Sequence, residues 1–324
     1  MNGTCLIMMA AYNGELYIEK QICSIINQSY QNWKLIIQDD GSTDNSIEII
    51  KKYTVIDSRI QLLHNHGTHG PYYNFHSLIN TCRKLEKFDY YMFSDHDDVW
   101  DQNKIIEFIE HYKMYGRDTE PILLYADMRI IDDSDSVVED SIDAKLGIKY
   151  RNAASVFFCH SVFGCNTFFN RALFEIVPEF DICSNVCEIM SHDNYFAKYA
   201  AVFGKILFLD KSLMGYRRHD NNVTSVQSYS FGIKRIMQRV ARLDELAKWH
   251  ARTYRQSLVV INMIQHTMCP SHQTSTLNKI SKCIKRGGVP GTLLFIKLHV
   301  SCGNCVKTVS HAFVIFLGIY KKYL

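Results

Sequence analysis

Several signatures are missing from this 324-residue chain, and each absence removes a class of protein. No Gly-x-Gly-x-x-Gly follows the first apolar run, which argues against a nicotinamide or flavin Rossmann site. No Gly-x-x-x-x-Gly-Lys-Ser/Thr occurs, which argues against a P-loop. No apolar run reaches the ~20 residues needed to cross a bilayer. Met1-Asn2-Gly3-Thr4-Cys5 passes straight into an apolar strand pattern, with no basic region or small-residue cleavage site, so no signal peptide is expected. The eleven cysteines are scattered without regular spacing, which points to free thiols in a reducing compartment. No internal repeat or low-complexity segment is present. Nothing in the chain points to nucleic acid as a partner.

Acidic side chains stop at Glu245, and eleven basic residues follow, from Lys248 to Lys322. Residues 1–245 carry 25 basic against 33 acidic residues. An acidic body with a basic tail points to a cation-using body and a tail that meets an anionic surface. The length allows one large domain, or a domain plus an appendage. A hydrophobic content of 47% is ample for a packed core.

The first half alternates in period. Cys5–Ala11, Trp33–Gln38, Ile60–Leu63 and Tyr90–Phe93 read as buried strands. Tyr17–Ile26, Ser42–Tyr53 (capped by Ser42 or Thr43), Tyr73–Leu85 and Lys104–Tyr115 read as helices. This alternation implies βαβ units, hence an α/β fold with a mainly parallel central sheet flanked by helices. Further on, Ile122–Tyr125, Val156–Phe158, Thr167–Phe169 and Lys205–Leu209 read as strands and His192–Val202 as a helix. From about Tyr229 the pattern is helical, with breaks at Cys269-Pro270, Gly287-Gly288 and Pro290-Gly291. Asp132-Asp133-Ser134-Asp135-Ser136 reads as a solvated turn.

The strand ends carry the chemistry. Ligands of an open parallel sheet bind outside the strands' carboxyl ends. There the chain places Ala11-Tyr12-Asn13-Gly14, Asp39-Asp40-Gly41-Ser42 and Asp95-His96-Asp97-Asp98. Crowded carboxylates repel one another and disfavour folding unless something offsets them. A divalent cation, or the phosphates it carries, is the usual offset. Mn²⁺ and Mg²⁺ suit oxygen ligands and bridge carboxylates to phosphates. Two histidine-containing tracts, His64-Asn65-His66-Gly67-Thr68-His69 and His299/Cys302/Cys305/His311, read as a solvated loop and as helix packing rather than metal sites.

Ala10–Glu15, Gln28-Ser29-Tyr30 and Asp39–Asp44 resemble the nucleotide-binding half of family 2 glycosyltransferases. Ser94-Asp95-His96-Asp97-Asp98-Val99-Trp100 resembles that family's Asp-x-Asp segment. Its form is that of the bacterial rhamnosyltransferase-like branch, which usually carries Gln at the position of His96. Ser191-His192-Asp193-Asn194 and Tyr216-Arg217-Arg218-His219-Asp220-Asn221-Asn222-Val223 resemble two later motifs. The match runs in order over roughly residues 4–225.

The resemblance implies a GT-A fold with a C-terminal helical extension: a catalytic domain over residues 1–228 and a basic helical region over 229–324. It implies an inverting, metal-dependent transfer of a sugar, with rhamnose the expected one, from a nucleotide-diphosphate donor. The acceptor would be a growing cell-surface polysaccharide or a lipid-linked glycan. Ala11, Tyr12, Glu15, Asp39, Asp40 and Asp95 would face the donor nucleotide, and Arg217 and Arg218 would grip its diphosphate. Asp97, Asp95 and His219 would hold Mn²⁺ or Mg²⁺. Asp193 would be the general base. Trp100, Gly164, Cys165 and His192 would lie on the acceptor side, with Cys165 as packing rather than a nucleophile.

Leu293–Ile296 and Phe313–Leu317 are apolar runs flanked by lysines, so the tail is expected either at an anionic membrane surface or packed on the protein or a second copy. The expected location is the cytoplasm, at the inner face of the plasma membrane. Two rival functions share the fold. A nucleotidyltransferase would carry a Gly-rich first turn with Arg or Lys, which Ala11–Glu15 is not. A non-catalytic sugar-nucleotide or glycan binder would have no need of Asp97 and Asp193.

Overall fold

The computed structural model describes residues 3–182, 184–219, 243–266 and 271–324. The chain divides into two compact units. One comprises Met1–Ile142, Val162–Phe196 and Gly204–Ser225, the other Asp143–Ser161, Ala197–Phe203 and Val226–Leu324.

The first unit is built on a sheet whose described strands number nine. β1 (Cys5–Ala11) is apolar and buried at every residue, as a strand covered on both faces must be. β2 (Trp33–Asp39), β3 (Ile60–His64) and β4 (Tyr90–Asp95) join it in the order β3-β2-β1-β4, all parallel. The connections are α1 (Ile18–Ile26), α2 (Ser46–Ile56) and α3 (Pro71–Cys82). Ile18, Ile22 and Ile25 of α1 recur at helical spacing and are buried. The chain steps outward from β1 to β3 and then returns to β4 on the other side of β1. That reversal is a topological switch point, where such sheets bind ligands.

Beyond β4 the sheet turns mixed. β5 (Val99–Trp100) and α4 (Lys104–Tyr115) precede β6 (Ile122–Ile131) and its short partner β7 (Val137–Glu139). Short helices α5 (Ile142–Leu146) and α6 (Ala153–Val156) lead to β8 (Thr167–Asn170) and α7 (Arg171–Ile176). α8 (His192–Phe203) and β9 (Lys205–Arg217) complete this part. The order continues β4-β8-β6-β9-β5, with β8 antiparallel to both neighbours and β6 parallel to β9.

Several boundaries depart from the sequence expectation. α2 begins at Ser46, not Ser42, because the serines stitch loops together. Ser42 Oγ accepts from the Asn13 amide at 2.9 Å and Ser46 Oγ from the Gly14 amide at 2.7 Å. β9 runs 13 residues, to Arg217, through the polar Asp210-Lys211-Ser212, and register irregularities in β6 absorb the mismatch. Val156–Phe158 is not a strand. The Asn152 side chain accepts from the Ser155 amide at 2.9 Å and starts α6 there.

In the second unit, α9 (Leu243–His266), α10 (Ser271–Arg286), α11 (Gly288–Lys297) and α12 (Cys305–Leu317) form a helical cluster. Its core includes Tyr254, Ile261, Cys283, Phe295 and Ile315. Phe158 meets Tyr254 and Phe295 edge-on within it. Gly287 and Gly288, with φ of 58° and 61°, separate α10 from α11, as expected. The break expected at Pro290-Gly291 is absent. Pro290 lies in the first turn of α11, where a helix needs no amide hydrogen from it. The break expected at Cys269-Pro270 lies outside the described residues.

Candidate active site

Register puts the carboxyl ends of three strands side by side. Ala11 pairs with Asp39 on one flank, and Ala10 pairs with Asp95 on the other. With strands about 4.8 Å apart, the two aspartates stand on one rim across the switch point.

Asp39 is buried, and its Oδ2 accepts from the amides of Gly41 (2.9 Å) and Ser42 (3.0 Å). Its Oδ1 is buried without a hydrogen-bond partner. A buried acceptor left unmade is costly, and a ligand N–H or O–H would satisfy it. Tyr12 beside it is 53% exposed, while Ala11 is buried in the strand.

Two neighbouring carboxylates are spent on the scaffold. Asp40 accepts from Asn65 Nδ2 (2.6 Å) and the Gly70 amide (2.7 Å), with His69 Nδ1 at 3.2 Å. It therefore holds the loop after β3. Glu15 Oε2 accepts from the Asn45 amide (3.0 Å) and side chain (2.8 Å), and so clamps the entry to α2.

The Asp95–Asp98 segment turns sharply from β4 into β5. His96 packs over the backbone of the β1 loop. A Cβ at Gly14 would lie 2.3 Å from its ring, so a side chain there would push His96 aside. Asp95, Asp98 and the Cys165 thiol offer ligand-type atoms within 4.8 Å of one another. Burial, then the charges of Asp97 and Asp193, push Asp95 up to about 7. Burial and the same crowding push Asp98 well above the usual carboxylate range. Beneath them lies Lys104, fully buried, its Nζ donating to the Cys165 carbonyl at 2.9 Å and sitting 4.1 Å over the Trp100 ring. Burial pulls that ammonium down to about 7. Trp100 and Cys165 are thus buried, 3% and 2% exposed.

Asp97 points the other way. Its Oδ2 lies 2.9 Å from His219 Nε2, at the far end of β9. Burial works to raise its pKa, but the His219 hydrogen bond and the nearby His96 outweigh that and hold it low. Tyr17 stacks on His219 at 5.3 Å and donates to Asp133 Oδ1 at 2.7 Å. Arg217 is fully buried. It donates to the Asp97 carbonyl at 2.8 Å, the Asp132 carbonyl at 2.5 Å and the Asp135 carboxylate. Its guanidinium is held by these protein groups. The turn at Asp132–Ser136 is solvated as expected, and it also anchors Arg217. Arg218, by contrast, is exposed. Asp220–Val223 of the same motif lie outside the described residues.

Asp193 occupies the first turn of α8 and is buried. Its Oδ2 accepts from the Gly164 amide at 2.9 Å and its Oδ1 from the Asn194 amide at 2.6 Å. At the start of α8, both carboxylate oxygens thus meet a backbone amide. His192 stacks on Phe75 at 3.8 Å and abuts Gly164, where a Cβ would come within 2.4 Å of its Nε2.

A family model described as "Glycosyl transferase family 2" matches residues 6–175, more than half of the chain. The chain belongs to glycosyl transferase family 2. Relatives of this family 2 chain include a "dTDP-rhamnosyl transferase RfbG" of Shigella flexneri, 41% identical over 101 residues, which are 30% of this chain and 34% of that protein. An Escherichia coli "UDP-Glc:alpha-D-GlcNAc-diphosphoundecaprenol beta-1,3-glucosyltransferase WfgD" is 36% identical over 31% of this chain and 37% of that protein. The chain therefore spans little more than a third of these relatives' length. Among solved structures, S. aureus TarS 1-349 in complex with UDP-GlcNAc superposes with a TM-score of 0.55 at 12% identity, over 98% of this chain and 89% of TarS. That likeness concerns the fold, and with the family match it bears out the expected GT-A architecture with C-terminal helices.

The residues present fit the divalent cation implied by the fold in one place better than another. Asp97 Oδ2 and His219 Nε2, hydrogen-bonded to each other at 2.9 Å, offer an oxygen and an imidazole nitrogen, donor types that suit Mn²⁺. The Asp95/Asp98/Cys165 group includes a thiol, which suits Mn²⁺ and Mg²⁺ poorly, and it already has Lys104 for company. Sequence reasoning missed Lys104 and Tyr17, and it gave Asp98 and His96 no separate role within the acidic segment. Lys104 sits four residues past Trp100 on an amphipathic helix, and nothing in a helical period marks a lysine that turns inward.

Proposed function

We propose that this family 2 protein is an inverting glycosyltransferase that moves a sugar from a nucleotide-diphosphate donor to a polysaccharide or lipid-linked acceptor. The observation that carries the reading is the approach of Asp193, at the start of α8, to Asp95 at the switch point. Asp193 lies close enough for its charge to raise Asp95. One side of such a site suits a leaving diphosphate and the other suits a base, the opposed arrangement that inversion needs.

In this reading the unpartnered Asp39 Oδ1 accepts an N–H of the nucleobase, and the exposed Tyr12 ring covers it. Asp97 and His219, with Asp95 beside them, would hold Mn²⁺ or Mg²⁺, which supplies Lewis-acid neutralisation of charge on the diphosphate. Arg218 adds an exposed positive charge next to His219. Arg217 keeps Asp97 and the Asp132–Ser136 turn in place. Asp193 takes the acceptor hydroxyl's proton as general base. Stabilising the separating charge more than the bound donor is what accelerates transfer.

The catalytic part is assigned to residues 1–228 and the basic helical region to 229–324. Rhamnose is the favoured sugar and a lipid-linked surface glycan the favoured acceptor. RfbG, a dTDP-rhamnosyl transferase, and the Asp95–Trp100 segment support the sugar, and WfgD, a glucosyltransferase named for a diphosphoundecaprenol-linked GlcNAc, supports the acceptor. The favoured location is the cytoplasmic face of the plasma membrane, where a lipid-linked acceptor is reached.

Purified protein incubated with a panel of nucleotide sugars and Mn²⁺ or Mg²⁺ identifies the donor by which one is turned over. With that donor, Asp193→Asn should bind as wild type by calorimetry and lose roughly 10²–10⁴-fold in transfer, the usual contribution of a general base. Wild-type transfer by this variant would remove Asp193 from the role.

A further inference from the structure

We propose that the outward faces of α11 and α12 form a docking surface for an anionic lipid bilayer, in which the two helices lie in the plane of the headgroups. An amphipathic helix in a globular protein buries its apolar stripe and turns polar residues to water. These two do otherwise. α11 buries Gly291 and Phe295, yet it leaves Val289, Leu293 and Ile296 exposed, the last two at 53% and 61%. α12 buries His311, Val314 and Ile315, yet it leaves Val309, Phe313 and Phe316 exposed, the last two at 45% and 50%.

Each exposed set follows the spacing i, i+4, i+7, so each forms one row along its helix. The helices pack on each other where Gly291 lets the α11 backbone approach Ile315 of α12. A Cβ there would stand 3.2 Å from the isoleucine. Two neighbouring helices thus each carry a second apolar face with nothing on it among the described residues. Neither is long and apolar enough to cross a membrane.

Charge selects the occupant. Lys285 and Arg286 end α10, Lys297 ends α11, and Lys321 and Lys322 follow α12, all exposed, with Lys322 paired to Asp244. No acidic residue occurs in the chain after Glu245. A second copy docking through the same face would bring two such basic rims together, with few carboxylates to pair them. An anionic leaflet takes up the apolar rows and the lysines at once. The surface is argued without reference to the transferase reading, although a lipid-linked acceptor would make it useful.

The test is co-sedimentation of the full chain with vesicles of phosphatidylcholine alone, or with roughly one-third phosphatidylglycerol. Wild-type protein should pellet with the anionic vesicles and stay in solution with the neutral ones. Ile296→Glu combined with Phe313→Glu should lower the partition at least about tenfold, since each charge enters the apolar layer. Both residues are exposed, so circular dichroism should be unchanged, as should donor hydrolysis. Lys285→Gln with Lys297→Gln should weaken binding severalfold and flatten its salt dependence. The proposal is overturned if wild-type protein ignores both vesicle types, or if the double glutamate variant pellets like wild type. It is also overturned if sedimentation velocity without lipid finds a dimer that this variant dissolves, which would give the face to a second copy.

Discussion

Asp97 and Asp98 are adjacent in the chain and opposite in circumstance. Asp97 is held low by His219, while Asp98 is pushed up by burial among carboxylates. Repulsion within the Asp95–Asp98 cluster was readable from composition; the partition between its members was not. It depends on His219 and Lys104, which arrive from β9 and α4. The same holds for Asp40 and Arg217, whose residue types suited a nucleotide site but whose partners are Asn65 and Gly70, and Asp132 and Asp135. The Asp97 hydrogen bond raises His219 above its ordinary value of 6.5. The sign of the linkage follows. Stability from this pair is fully present below pH ~6.5 and is lost as pH rises through the folded-state pKa. In metal-free protein, the His219 imidazole should titrate above 6.5 by NMR, and Asp97→Asn should bring the midpoint down. An unchanged midpoint would mean that the pair does not form in solution.

At the scale of elements, β1 through β4 and their helices were legible because buried parallel strands are short unbroken apolar runs and the helices between them keep a 3.6 period. Strand extensions were not legible. β6 and β9 run past their apolar stretches because each supplies the other's backbone hydrogen bonds, a non-local cause. Val156–Phe158 failed for the reason short apolar runs often do, since period alone does not separate a strand from one buried helical turn. The junction of Gly164 with α8 is a functional contact between elements. Gly164→Ala would set a Cβ 2.4 Å from His192 Nε2 and push the start of α8, and Asp193 with it. The expected cost is about 1–3 kcal/mol in chemical denaturation, as for other overpacked sites. Transfer should fall while donor affinity holds. Wild-type stability and rate in this variant would show that the contact relaxes freely.

Over the whole molecule, the ordered set of motifs was the strongest sequence signal, and the family match over residues 6–175 agrees with it. Less legible was the composition of the second compact unit, which takes in Asp143–Ser161 as well as the terminal helices. Segments distant in sequence share a core there, as Phe158 does with Tyr254 and Phe295. The charge asymmetry fits an acidic nucleotide site and a basic tail without fixing either in detail. The central claim is that Asp97 and His219 hold a divalent ion that steadies the departing nucleotide. The measurement that reaches it most directly is sugar transfer in excess chelator, followed by titration with Mn²⁺ or Mg²⁺, for wild type and Asp97→Asn. Wild-type turnover should fall about a hundredfold or more and return on adding the ion, matching the several kcal/mol a Lewis acid supplies, while Asp97→Asn should stay inactive throughout. Undiminished turnover in excess chelator would contradict the account.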